Sequence, residues 1–266
     1  MKDLIVLKVG GSVITDKKSE KPKANLKNIN RIAEEISEAY ASGKFDLILV
    51  HGAGSYGHQI VKKTGIDKGI KNDEQRVAFA ETQRLQNDLN SIVTKALIKN
   101  DVPAMPLQAS AHAIMRAGRL VKFDLEATRG FLRSGLVPVF YGVPAFDTEQ
   151  ACSILSGDQI TPYVAKELYA RKIIHGTNVD GIFTADPNKD KSAKLIPLIR
   201  EENFEKISSW MSGSSAVDVT GGMLGKISEL LDVAKSGIES QIVNALKAGN
   251  VKKALLGEKI GTVVVR

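Results

Sequence analysis

The sequence predicts an α/β fold built on a largely parallel sheet covered on both faces. Three observations carry this. Apolar runs of strand length recur along the 266 residues, stretches with helical apolar spacing separate several of them, and two of the runs open directly into glycine-rich loops. Strand and helix in alternation place helices on both faces of a parallel sheet.

Strand-like runs occur at 4–9, 46–50, 136–141, 171–176, 240–244 and 260–265. Between the first two, Ile29, Ile32, Ala33, Ile36 and Ala39 keep the three-four spacing of one apolar helix face. Phe79, Thr82, Leu85, Leu89, Ile92, Val93 and Ala96 continue that spacing over a long helix. The 115–123 stretch, with Gly118 between Arg116 and Arg119, reads as a small hairpin positioned to cap a site. Pro106 and the 142–153 stretch read as turns, and neither is a linker. Ile160, Val164 and Leu168 mark a helix after Ser156-Gly157-Asp158. Met223, Ile227, Leu230, Leu231 and Ala234 mark another, with Gly237 as its stop. The whole chain reads as one domain whose two lobes divide near residues 142–156.

Hydrophobic content of 43% and charged content of 25% are ordinary for a soluble globular protein. No apolar run reaches membrane-spanning length, and the N-terminus runs directly into a strand rather than a signal peptide. The single cysteine, Cys152, excludes an intramolecular disulfide and a cysteine metal cluster. These features predict a cytoplasmic protein with no metal site of its own. The net charge is +7 and the pI about 9.3. The lysines are scattered and aromatic residues are few, which argues against nucleic acid as the partner.

The first glycine loop is Lys8-Val9-Gly10-Gly11-Ser12, closing the run 4–9. The second is His51-Gly52-Ala53-Gly54-Ser55-Tyr56-Gly57-His58, closing the run 46–50. Glycine lets backbone N–H groups approach an anion closely. Two such loops in one α/β domain suggest a donor phosphate and an acceptor meeting face to face, the arrangement of a small-molecule kinase. The alternative is that the glycines only make tight turns. The second loop matches G-x-G-x-x-G formally, but a polar, lysine-rich segment follows it where a dinucleotide site needs another strand. No G-x-x-x-x-G-K-[ST] occurs, so this is no P-loop.

Lys8 lies inside an apolar strand, where a charge needs an anion or carboxylate partner; the alternative is a lysine snorkelling from an edge strand. His58 suits hydrogen bonding to an acceptor phosphate, and it equally suits a surface histidine at a helix start. His51 reads as structural. Asp158 fits either an N-cap or a carboxylate holding active-site lysines. Thr177-Asn178-Val179-Asp180-Gly181 follows a strand and leads to Asp186-Pro187. Asp218 to Lys226 places Gly221 and Gly222 at a helix N-terminus with Lys226 one turn inside, a pattern for an anion site.

In their order, K-x-G-G-S at 8–12, the H-G-x-G-S-x-G-H loop, S-G-D at 156–158, T-x-V-D-G at 177–181, D-P at 186–187 and D-V-T-G-G-M-x-x-K at 218–226 resemble the amino acid kinase superfamily. Val13 to Lys17, His58 and Ser156 to Gln159 are most similar to its archaeal isopentenyl phosphate kinase branch, as are 106–110 and 254–258. The resemblance implies an αβα sandwich, a homodimer, and ATP-dependent phosphorylation of isopentenyl phosphate to the diphosphate, a step of an alternative mevalonate pathway, with Mg²⁺ on the nucleotide. It implies that Lys8, Gly10, Gly11 and Lys226 contact the ATP phosphates, that Val9 and Ser12 also belong to the ATP site, and that Lys17 stabilises the transferring phosphoryl group. Ala53, His58 and Gly157 would hold the acceptor phosphate, with Gly54 near the nucleotide and Asp158 orienting the lysines. Asn178, Asp180, Phe183 and Gly221 would line the nucleotide pocket. Phe79, Thr82 and Gln83, with Ile154, would form the tail pocket; for Phe79, core packing is the equal alternative. The first lobe, about 1–150, would hold the acceptor and the second, about 151–266, the nucleotide. Asn178 departs from the usual aspartate of the family, and Gly142-Val143 stands where many relatives read Gly-Asp. Two other functions fit parts of the pattern: a kinase of the same fold with another phosphate or phosphonate acceptor, as in fosfomycin kinases, and a non-catalytic nucleotide-binding protein.

Overall fold

Strand β1 (Asp3–Val9) pairs in parallel with β2 (Phe45–His51) on one side and with β9 (Lys172–Thr177) on the other. The computed structural model describes residues 2–16, 19, 21–185, 187, 189–212 and 227–266. Among these, the main sheet runs β10 (Leu198–Ile199), β12 (Thr262–Val264), β11 (Glu239–Asn244), β9, β1, β2, β6 (Val137–Tyr141), β3 (Ala104–Pro106). The six strands from β11 to β3 run in one direction; β12 is antiparallel to β11 and β10 follows β12. The chain extends the sheet to one side of β1 first and to the other side afterwards. The order therefore reverses at β1, and the loops leaving β9, β1 and β2 meet at the carboxyl edge, where open α/β sheets bind ligands.

Side-chain alternation divides the core. Ile5, Leu7 and Val9 of β1, with Leu47 and Leu49 of β2, face α2 (Leu26–Tyr40), α4 (Asp73–Lys99) and α9 (Asn250–Leu255). Val6, Ile48 and Val50 face α6 (Gly157–Glu167) on the other side. Helices thus cover both faces, as the alternation of elements predicts, and the main sheet is the middle of three layers. A smaller cluster holds Ile182, Ile199, Leu230 and Ile242 together beneath α7 (Glu201–Ser212) and the helical residues 227–235.

A second sheet, β5 (Arg119–Phe123), β4 (Ala113–Arg116), β7 (Val143–Asp147) and β8 (Ala151–Leu155), packs beside the main one. The turn reading of 142–153 is therefore corrected: β7 and β8 form an antiparallel hairpin, and only residues 148–150 make its turn. Pro106 also belongs to a strand. It ends β3, at the edge of the main sheet, where a residue lacking an N–H is tolerated. The 115–123 hairpin is present, with Gly118 at φ +78°. Asp147 anchors it by accepting the N–H groups of Ala117 and Gly118. Burial pushes the Asp147 carboxyl upward, but the backbone N–H groups of Gly118, Glu149 and Gln150 donate to it and hold it at about 2.

The long helix α4 buries Thr82, Leu89, Val93 and Ala96 of the stripe that apolar spacing picks out, and adds polar residues to it. Thr82, Gln86, Leu89, Asn90, Val93, Thr94 and Leu97 are inward, while Phe79, Leu85 and Ile92 are half-buried. No helix among the described residues is long and apolar enough to cross a membrane.

Candidate active site

The two glycine loops are packed against each other, backbone on backbone. A Cβ on Gly11 would lie 2.3 Å from the Gly54 nitrogen, and one on Gly52 would lie 2.5 Å from the Gly11 nitrogen. Gly54 adopts φ +53°, and its Cβ would meet Thr15 Oγ1 at 2.0 Å. Thr15 staples the pair by donating to Gly11 O at 2.8 Å and accepting the Ser55 N–H at 3.0 Å. Much of the glycine content thus serves loop-to-loop contact. Gly10 differs, because a Cβ there has only Gly176 O at 3.4 Å and Ser12 Oγ at 3.7 Å nearby. The Gly10 N–H already donates to Gly176 O at 2.9 Å. The N–H groups left for an anion at this loop are those of Gly11 and Ser12, opening the short helical turn α1 (Gly11–Ile14), since the Val13 N–H donates to Gly10 O at 2.9 Å.

Beside the loops lies a cavity of about 280 Å³. Its polar wall includes Lys8, Gly10, Gly11, Ser12, Ala53, His58, Gly157 and Asp158, and its apolar wall includes Val61, Val143, Pro144 and Ile154. Lys8 shares a face with Val6 and so points toward α6. β1 is a central strand, which removes the reading of an edge lysine. The Lys8 ammonium, on a residue 7% exposed, lies 3.0 Å from Asp158 Oδ1. Asp158 stands in the first turn of α6, where the helix end favours a carboxylate. Its side chain is half-exposed. Of the two readings of Asp158, the lysine-holding one matches the geometry: Ser156 occupies the N-cap.

The other expected site residues are distributed as follows. His58 is the first residue of α3 (His58–Thr64) and lines the cavity. Gly54 and Val9 are buried beneath it, Val9 with its side chain in the α2–α4 core. Of the residues expected in a tail pocket, Thr82 and Ile154 line the cavity, but Phe79 and Gln83 do not. Gln83 is instead engaged with Ser110 and Asn87. Asn178, Asp180 and Phe183 lie beyond the end of β9, one strand over from Gly10, and do not line this cavity. Asn178 is exposed. Asp180 pairs with Lys247 at 2.6 Å, which holds its carboxyl below the usual range. Lys17, Asp186, Gly221 and Lys226 lie outside the described residues. The 115–123 hairpin does not line the cavity either; Arg119 and Leu120 border a separate open groove next to Asp158.

His51 is structural, as expected. It is fully buried, contacts Asn90 Oδ1 at 3.1 Å and stacks on Tyr141. Burial lowers its pKa from 6.5 to about 4, against the opposing effect of its contacts with Gly52 and Asn90. The imidazole is neutral at physiological pH. Counting only apolar residues on α4 hides Gln86, which is fully buried and lines the cavity. A glutamine four residues after Thr82 and four before Asn90 was the available signal.

Residues 3–244 match the amino acid kinase family. The chain belongs to that family. Two curated relatives, both named isopentenyl phosphate kinase, come from Methanothermobacter thermautotrophicus and Methanocaldococcus jannaschii. The first is 41% identical over 97% of each chain; the second is 37% identical over 98% of each. Solved X-ray structures of isopentenyl phosphate kinase align with a TM-score of 0.85 at 40% identity, covering 98% of this chain and 100% of theirs.

Proposed function

We propose that the chain transfers the γ-phosphoryl group of ATP to the phosphate of isopentenyl phosphate, giving isopentenyl diphosphate and ADP, in an alternative mevalonate pathway. The observation that carries this is the mixed lining of the cavity. Lys8, His58 and the glycine loops offer polar groups to an anion. Val61, Val143, Pro144 and Ile154 offer apolar surface to a hydrocarbon. Val143, which departs from the Gly-Asp of many relatives, adds to that apolar surface. The relatives' shared name supports the same reading.

In this reaction an acceptor phosphate oxygen attacks the γ-phosphorus, and the bond from that phosphorus to the bridging oxygen of ADP breaks. A phosphate monoester is already a competent nucleophile, so the site needs no strong base. Catalysis rests on positioning and charge neutralisation. Lys8, fixed by Asp158, faces the phosphates; Lys17 and Lys226 are assigned to the transferring group. His58, Ala53 and Gly157 hold the acceptor. Val9, Gly10, Gly11, Ser12 and Gly54 shape the floor beneath the triphosphate, while Asn178, Asp180, Phe183 and Gly221 receive the nucleoside. Phe79 and Gln83 form an outer layer of the tail pocket, behind Thr82. The described residues contain no cluster of three or more His, Cys, Asp or Glu side chains suited to a metal. Mg²⁺ would ride on the nucleotide and would supply further charge neutralisation beside Lys8. A homodimer, with the acceptor in the first lobe and the nucleotide in the second, completes the proposal.

The test is ADP release with ATP, Mg²⁺ and isopentenyl phosphate, with fosfomycin and simple alkyl phosphates alongside. Turnover highest on isopentenyl phosphate is the expected result. Silence there with turnover on fosfomycin would transfer the assignment to a phosphonate kinase. ATP binding without turnover on any acceptor would leave a nucleotide-binding protein.

A further inference from the structure

We propose that Gln86 is a positioning residue for the acceptor, its side-chain amide donating a hydrogen bond to the acceptor's phosphate beneath the Gly57 turn; this rests on the phosphate-acceptor reading above. Gln86 is 0% exposed, and among the described residues neither its Nε2 nor its Oε1 has a hydrogen-bond partner. A buried amide left unpaired destabilises a protein, whereas an apolar side chain of the same size would not.

The neighbours on the helix sharpen the point. Thr82, Gln86, Asn90 and Thr94 recur every four residues along the buried face of α4. Thr82 donates to Ala78 O at 2.7 Å, Thr94 donates to Asn90 O at 2.8 Å, and Asn90 is paired with His51. Gln86 is the member of the stripe whose bonds are unmade, and it is also one that lines the cavity.

Its position indicates the ligand. A Cβ on Gly57 would sit 2.6 Å from Gln86 Nε2, so the amide reaches directly under the second glycine loop, next to the turn that presents His58. Lys8 and His58 line the same cavity, which favours an anion there. Phosphate oxygens accept, so the amide presents Nε2 to the ligand. Both amide atoms are covered without ligand, so the side chain turns toward the cavity as the phosphate enters, and Oε1 then takes its bond from a water that comes with it.

Two variants test this. Gln86→Met keeps length and removes the amide; Gln86→Glu keeps shape and removes the donor. For Gln86→Met the expected result is a melting temperature no lower than wild type without ligand. KM for isopentenyl phosphate should rise about tenfold or more, the loss of one hydrogen bond to a charged group. KM for ATP should stay near wild type and kcat should fall much less than kcat/KM. Gln86→Glu should raise the acceptor KM further. A lower melting temperature with an unchanged acceptor KM would overturn the proposal and make Gln86 a packing residue. If wild type itself fails to turn over isopentenyl phosphate, the acceptor reading has failed. Gln86 is then judged with inorganic phosphate as the probe. Thermal stabilisation of wild type that disappears in Gln86→Met supports the contact; equal stabilisation of both, or of neither, removes it.

Discussion

Replacing Gly10 and Gly11 separately by alanine should split folding from phosphate handling. At Gly11 the new methyl would lie 2.3 Å from the Gly54 nitrogen and 2.7 Å from its Cα. Both are backbone atoms, so the loops must part. Overpacking of this kind costs about 1–3 kcal/mol, and a chain this size loses roughly 2–4 °C of melting temperature per kcal/mol. Gly10 has φ −63° and ψ 141°, which any residue adopts, and its Cβ has no atom closer than 3.4 Å. Gly10→Ala should therefore match or slightly exceed wild-type stability, since alanine narrows the unfolded ensemble by about 0.4–1 kcal/mol. The methyl would stand at the edge of the cavity, where the triphosphate must approach. The expected result is a KM for ATP raised about tenfold, equivalent to roughly 1.4 kcal/mol, in a protein that melts normally. Thermal denaturation and steady-state kinetics on the two variants provide the test. Wild-type kinetics in Gly10→Ala would refute the assignment of this loop to phosphate. A wild-type melting temperature in Gly11→Ala would refute the loop-contact argument.

His58→Ala should raise KM for the phosphate acceptor far more than for ATP; equal effects would remove His58 from acceptor binding. Ile154→Phe should shorten the alkyl chain that the enzyme accepts, read from kcat/KM over a series of alkyl phosphates, and an unchanged series would remove Ile154 from the tail pocket. His51 makes stability depend on pH. Its folded pKa, about 4, lies below its ordinary value of 6.5, so between these values the unfolded chain binds the extra proton. Stability is full above pH 6.5 and declines as pH falls toward 4, by roughly 3 kcal/mol for this one group. Denaturant unfolding at stepped pH should show His51→Asn losing close to one proton of that dependence. An unaltered slope would show that the histidine is not held neutral.

The parallel sheet was legible because β1, β2 and β6 are largely buried and read as near-continuous apolar runs, while β9 and β11 keep the shorter cores Ile173-Ile174 and Ile242-Val243. The β7–β8 hairpin was not. Pro144, Phe146 exposed to solvent and Ser153 interrupt its alternation, and it is held by non-local contacts with β4 and α4, which local pattern does not express. The Lys8–Asp158 pair was legible in its members but not in its geometry, since 150 residues separate them. The contact between the two glycine loops was hidden for the same reason: Gly11 and Gly54 are brought together by the pairing of β1 with β2. Gln86 escaped because a polar residue in a buried helical stripe looks like surface until the cavity beside it is seen.

The central claim is that phosphate is joined to phosphate in the cavity between Lys8 and His58. Phosphorus-31 NMR of the product formed from ATP, Mg²⁺ and isopentenyl phosphate tests it most directly. The expected result is loss of the monoester signal and growth of two mutually coupled signals of a diphosphate monoester, in step with ADP. An intact monoester signal, with ATP either unreacted or hydrolysed to inorganic phosphate, would contradict it.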